Sequence, residues 1–215
     1  MRSAIVVVAA MASAVVSMQC GDGGAGGALG HGAGPSGAPA TLSVFPATVF
    51  SGVDDGGGKY VVPVAVSNGT KVTWQSSDAS IATVSGDDTS AMITPLKAGT
   101  ATITATAGGA SATVALTVQT YAAAARTAGQ AAFETFKCAS CHGAAGPDIT
   151  SSGICKHTDA QLEAAVTQGA NPEGGDVKIG KAAHSFPIAP TDPAYVGIAA
   201  FLRSQTPAGI PKPDG

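Results

Sequence analysis

The chain has 215 residues, with 11 lysines and arginines against 14 aspartates and glutamates and a net charge of −3 at neutral pH. The basic residues are scattered, so no patch or stripe offers a footprint for nucleic acid. Neither this balance nor a charged fraction of 12% singles out a class of partner.

At the N-terminus, Arg2 precedes an apolar stretch from Ala4 to Val16, followed by Ser17-Met18-Gln19-Cys20. These are the n-region and h-region of an export signal, too short for a comfortable membrane-spanning helix. Residues 1–19 are therefore expected to be a signal peptide. The segment resembles a bacterial lipoprotein signal, which implies a lipid anchor on Cys20; that pattern places a small residue where this chain has Gln19. Ordinary cleavage nearby would instead leave Cys20 as a free or disulfide-bonded thiol. Residues 20–40 are rich in Gly, Ala and Pro, with too little apolar bulk to offset the entropy of ordering. They are expected to be a flexible tether spanning roughly 25 Å, with His31 exposed and not a ligand.

From residue 41 to 120 the pattern changes to period two with β-branched residues. Runs at 42–45, 60–66, 71–75, 81–84, 100–106 and 112–118 read as short strands, and Gly108-Gly109 reads as a hairpin turn. Six or seven such strands in eighty residues predict a β-sandwich. Pro63 belongs on an edge strand or at a bulge, because it has no N–H for a ladder. Trp74 is expected as a large core anchor. The pairs Asp54-Asp55 and Asp87-Asp88 read as solvated turn residues, with calcium binding the minor alternative. The stretches VTWQSSDASIATVSG and LKAGTATITATAGGASATVALTV resemble the bacterial immunoglobulin-like group 2 domain over about residues 41–119. That resemblance implies a spacer or surface-interaction module without an active site.

At Tyr121-Ala122-Ala123 alternation stops and helix formers begin. Here lies the most specific signal in the chain, Cys138-Ala139-Ser140-Cys141-His142. Two thiols three positions apart can add to the two vinyl groups of one haem, and the following histidine can ligate its iron. A thioredoxin-like redox pair would need a βαβ setting that these flanks lack. A zinc site would need further ligands, for which Cys155 and His157 are the nearest candidates. Thr158 reads as the cap of a short helix, and Pro193 as the first turn of another that places Ile198, Phe201 and Leu202 on one face. Gly129-x-x-x-Phe133 leading into the C-x-x-C-H motif resembles a class I, monohaem cytochrome c domain over about residues 122–204. The resemblance implies one covalent haem c held by Cys138, Cys141 and the proximal ligand His142. It implies Pro147 as the residue whose carbonyl accepts the His142 ring N–H, and contact of Phe133 with Phe201 near Gly129. Cys155 is expected as a buried small hydrophobe near the haem, or a disulfide partner of Cys20 if the latter is not lipidated.

The resemblance also implies a distal methionine before the last helix, and this chain has none there. Its four methionines are Met1, Met11, Met18 and Met92. His184 lies where that methionine would stand and is the favoured distal ligand. His157, Lys178, Lys181 and an open or water-bound site are the alternatives; a lysine must first lose a proton from a pKa near ~10.4. The second imidazole implies a lower midpoint potential than His/Met ligation.

The expected architecture is thus an all-β immunoglobulin-like sandwich (41–120), an all-α cytochrome c domain (121–205) and a disordered tail (206–215). The expected function is single-electron transfer with a redox protein partner, in the periplasm or at the surface of a bacterium, anchored to a membrane through Cys20. No general base, nucleophile or phosphate loop accompanies the motif, so no small-molecule substrate is expected. Two readings compete: a haem enzyme or gas sensor with an open distal site, and a surface adhesion protein with an accessory haem domain.

Overall fold

A computed structural model describes residues 41–142, 147–174, 178–179 and 182–211. The signal peptide, the tether with Cys20 and His31, Lys181 and the last four residues lie outside the described residues.

Eight strands build the first part: β1 (Ser43–Phe45), β2 (Thr48–Asp54), β3 (Val62–Ser67), β4 (Thr73–Ser76), β5 (Ala82–Gly86), β6 (Ser90–Pro95), β7 (Gly99–Ala107) and β8 (Ala110–Tyr121). They form two four-stranded sheets, ordered β1-β3-β6-β5 and β2-β8-β7-β4. Every sandwich pair is antiparallel except β2 with β8. Alternate residues of each strand meet between the sheets, so Val49, Val62, Val64, Ile93, Ile103, Val114 and Leu116 are buried in one cluster. Burying one such side chain contributes ~1.5–3 kcal/mol before entropy is counted. The β7–β8 hairpin turns through Gly108 (φ 57°) and Gly109 (φ 85°). Positive φ at both central residues is what a tight two-residue hairpin turn requires, and glycine adopts it without strain.

Strands β2 and β6 escape a period-two reading. In β6 the inward residues are Ala91, Ile93 and Pro95, two of them weak strand formers. In β2, Gly52 replaces a strand residue because Tyr121 lies against it; a Cβ there would come 2.2 Å from the ring. Pro63 departs from expectation, since β3 is an inner strand and Pro63 is fully buried. The reason is local. Val66 N–H donates toward β6, to Thr89, so alternation turns Pro63 the other way. On that side β1 pairs only with Ala65–Ser67 and has already ended. Trp74 flanks the core on edge strand β4 and is half-buried, with Nε1 donating to the Asp87 carbonyl at 2.9 Å.

The second part holds α1 (Ala123–Thr135), a 3-10 turn at Cys138–Ser140, α2 (Ser151–Ile154), α3 (Asp159–Gln168), the two-residue pair β9 (Lys178–Ile179) and β10 (Ala182–Ala183), and α4 (Pro193–Ser204). Thr158 and Gln161 form a reciprocal capping box on α3. Asp192 caps α4 and Pro193 occupies its first turn. Helices α1 and α4 cross at two glycines: a Cβ on Gly129 would lie 1.9 Å from the Gly197 carbonyl oxygen. One turn on, the Phe133 and Phe201 rings meet at 5.1 Å.

The sandwich and the helices form one compact unit. Arg203, 2% exposed, is the main tie. Its Nε donates to Asp159 at 2.7 Å, and its other nitrogens donate to the carbonyls of Phe50 (2.9 Å) and His157 (2.6 Å). Tyr121 at the end of β8 donates to the same Asp159 at 2.7 Å. The Phe50 N–H donates to the Cys155 carbonyl at 2.7 Å, and Tyr60, Tyr121 and Ala200 share a small apolar cluster. The α1 N-terminus is capped from the sandwich, by Asp55 accepting the Ala123 N–H. The segment expected as a disordered tail is held at its start, where the Ala208 N–H is shared by the Thr150 and Ser152 hydroxyls at 3.0 Å each.

Asp54, next to Asp55, is no calcium ligand in waiting. It is 7% exposed and accepts from the Gly58 N–H (2.7 Å), the Tyr60 hydroxyl (3.0 Å) and Arg126 Nε (3.0 Å). Burial alone would raise its pKa; these three donors reverse that and hold it below the ordinary carboxylate value. Its contribution to stability is therefore complete above pH ~4 and is lost as the pH falls through its depressed folded value. Acid unfolding of Asp54→Asn should accordingly show a shallower dependence on pH below 4 than wild type. Identical profiles would remove Asp54 as a source of acid sensitivity.

Candidate functional site

The chain leaves α1 through Lys137, whose left-handed conformation (φ 55°) turns it abruptly into the Cys138–Ser140 turn. The His142 N–H donates to the Cys138 carbonyl at 3.0 Å, and the Cys141 N–H donates to the same oxygen at 3.2 Å. One turn thus carries both thiols and the histidine. Neither thiol is in a disulfide. Cys138 is half-buried and burial raises its pKa, whereas Cys141 is exposed.

Cys138 and His142 line a cavity of about 390 Å³, within the ~300–1,000 Å³ usual for small-molecule and cofactor sites. Most of its wall is apolar, supplied by α1, α2, α3 and α4 through Phe133, Ile154, Leu162, Val166, Ile198 and Leu202. The opposite side contributes His184, half-buried, and Phe186. Of the residues singled out from the sequence, Cys138, His142, Pro147, His157 and His184 are brought to this one cavity.

The two histidines are prepared alike. His142 Nδ1 lies 3.2 Å from the Pro147 carbonyl, and His184 Nδ1 lies 3.2 Å from the Ala165 carbonyl. A carbonyl can only accept, so Nδ1 is the donor in each contact, and in a neutral imidazole donating from Nδ1 the lone pair lies on Nε2. The ring centres are 5.9 Å apart and the planes cross at 87°. An apolar cleft with Cys138 and two imidazoles on its wall is a donor set that could hold an iron porphyrin. Ala165 and Phe186 escaped sequence reasoning. A backbone carbonyl leaves no trace in residue identity, and a phenylalanine before a proline reads as loop.

Lys178 lies in β9. Met92 lies in β6, within the sandwich. His157 lines the cavity, but its Nε2 stands 3.9 Å from Glu173, and burial, then Lys156, holds it below the usual imidazole range. Cys155 is not beside the cavity as expected. It is 2% exposed, packs with the sandwich cluster, and burial pushes its thiol up to about 11. It therefore adds no thiolate to Cys138 and Cys141, and among the described residues no three His, Cys, Asp or Glu side chains gather as a metal-binding group.

Residues 58–118 match the family model of the bacterial Ig-like domain (group 2), which agrees with the two-sheet sandwich. No curated protein matches the chain. Similar solved structures include the S-layer protein SbsC, domains 4 and 5, at 23% identity over 36% of this chain and 50% of that one, with a TM-score of 0.30. Another is the S-layer protein rSbsC(31-844), at 24% identity over 37% of this chain and 12% of that one, with a TM-score of 0.29. The chain thus spans half or less of the length of these proteins.

Proposed function

We propose that the helical part is a c-type haem domain and that the chain is an exported, single-haem electron carrier. The observation that carries this reading is that His142 and His184, each with Nδ1 against a carbonyl and with ring centres 5.9 Å apart, line the same cavity as Cys138. Haem c, once attached, would supply one-electron cycling of its iron. The chain's own residues do the rest. Cys138 and Cys141 would fasten the group through thioethers, and His142 and His184 would present Nε2 to it. The Pro147 and Ala165 carbonyls would accept from Nδ1 of each ring and so leave Nε2 to the group. The mostly apolar wall would give the group a largely nonpolar setting. The Ig-like sandwich, joined through Arg203, acts as a rigid support against which the site is built. Ig-like domains of this kind suit a protein outside the cytoplasm, in keeping with a lipid anchor on Cys20 and a protein redox partner.

The test is expression in a periplasm with haem-attachment machinery. Wild type should retain haem on a denaturing gel, and Cys138→Ser with Cys141→Ser should lose it. Ferric wild type should be six-coordinate and low-spin. His184→Ala should turn most of it high-spin and raise the midpoint potential by on the order of 0.1 V, within the ~0.8 V that axial ligands span. A protein without covalent haem would end the proposal. An unchanged spectrum in His184→Ala would end the distal assignment.

A further inference from the structure

We infer that the C-terminal turn of α3 is the device that orients His184 and strengthens it as an electron donor, a reading that rests on the distal role proposed for His184. An α-helix leaves its last four carbonyls without partners inside the helix. In α3 these belong to Ala165, Val166, Thr167 and Gln168. The chain after α3 does not satisfy them in the usual way, because the N–H groups of Gly169 and Ala170 both return to Ala164. Three consecutive residues of the His184 segment bond three consecutive carbonyls instead. His184 Nδ1 meets Ala165 at 3.2 Å, Phe186 N–H donates to Val166 at 3.0 Å, and the Ser185 hydroxyl donates to Thr167 at 2.7 Å. The segment is clamped along the helix end, with the imidazole as one of three teeth.

Two aromatic contacts complete the clamp. The Phe186 ring stands edge-on to His184 at 5.1 Å and 90°, and Phe136, just past α1, packs on Phe186 at 5.0 Å. The imidazole is thereby held by α3 on one side and by the end of α1 on the other. The electrostatic consequence has a definite sign. A helix C-terminus carries about half a negative charge. It polarises the Nδ1–H bond, pushes electron density toward Nε2, and so favours the oxidised over the reduced state of any metal bound there. Among the described residues, the proximal histidine's Nδ1 meets a loop carbonyl, that of Pro147, and no helix end. Of the two imidazoles, His184 would therefore feel the stronger field.

The experiment replaces the side chain with a free ligand. Holoprotein His184→Gly is titrated with imidazole and with 1-methylimidazole, which share the metal-binding nitrogen but differ in the N–H that Ala165 would accept. Imidazole is expected to bind about ten-fold more tightly, the worth of one buried hydrogen bond, and to give the lower midpoint potential. Equal affinities and equal midpoints would overturn the inference while leaving His184 as ligand. A His184→Gly spectrum identical to wild type would instead overturn the ligand assignment and this inference with it. In the wild-type background, Phe186→Leu should mix high-spin iron into the ferric spectrum and Phe186→Tyr should restore it. A fully low-spin Phe186→Leu with an unshifted midpoint counts against the clamp.

Discussion

Replacing Arg203 with methionine is expected to destabilise the protein by about 3–5 kcal/mol, the cost of breaking a buried ion pair from one side. Methionine fills much of the arginine's volume, so the loss is chiefly electrostatic. Asp159 would keep only the Tyr121 hydroxyl, and the carbonyls of Phe50 and His157 would lose buried donors. The residues concerned span the whole described unit, since Phe50 lies in β2, Tyr121 ends β8, Asp159 opens α3 and Arg203 lies in α4. Urea unfolding checks both magnitude and cooperativity. The only tryptophan, Trp74, reports on the sandwich, and far-ultraviolet dichroism reports on the helices. In wild type the two transitions should coincide, because one network joins the parts. In Arg203→Met they should separate, with the helical part unfolding first. Adding Asp159→Asn should recover part of the loss, since the stranded charge would be gone. A loss below about 1 kcal/mol, with coincident transitions, would show that Arg203 is not the tie.

Gly129→Val is expected to be the second most damaging change, costing about 3 kcal/mol or more. The obstacle is backbone: a Cβ at Gly129 would sit 1.9 Å from the Gly197 carbonyl oxygen and 2.7 Å from the Ile198 nitrogen. No rotamer relieves such an overlap, so α1 and α4 must move apart. Separation would pull Phe133 from Phe201, and Phe133, Ile198 and Leu202 also line the cavity. Loss of stability should therefore come with impaired holding of the proposed haem. A Tm lower by roughly 6–12 °C is expected for a chain of this size. A decrease under about 2 °C would show that the helices cross more loosely than these distances imply. Gly197→Ala offers a milder check, its Cβ facing the Ala125 carbonyl at 2.1 Å.

Much of this architecture could be read before any coordinates. The strands with clean alternation, β7 and β8, and the Gly108-Gly109 turn between them followed from period two and from glycine's tolerance of positive φ. So did the Thr158 cap and the Pro193 first turn, because both are local events within four residues. Strand β6 was hidden because its inward positions include alanine and proline, which no propensity marks as strand. Cys155 is buried as its residue type suggests, but which wall it joins is a different matter. Its small apolar side chain suits either side of an interface, and only the fold decides which side is nearer.

The pentapeptide at 138–142 and the absence of a methionine between it and the last helix are properties of the sequence alone. They define the chemistry to be sought, because two thiols and an imidazole in one turn have few uses and the helical segment has no methionine of its own. The tertiary structure decided which residue faces His142 and how it is held. His184 is distant in sequence, and the Ala165 carbonyl that orients it belongs to a helix end whose backbone groups are the same in every helix. It also decided that the sandwich and helices are a single body, since Arg203 finds its partners on β2, α3 and the turn before α3. Such contacts follow from packing in three dimensions, which one-dimensional spacing does not encode.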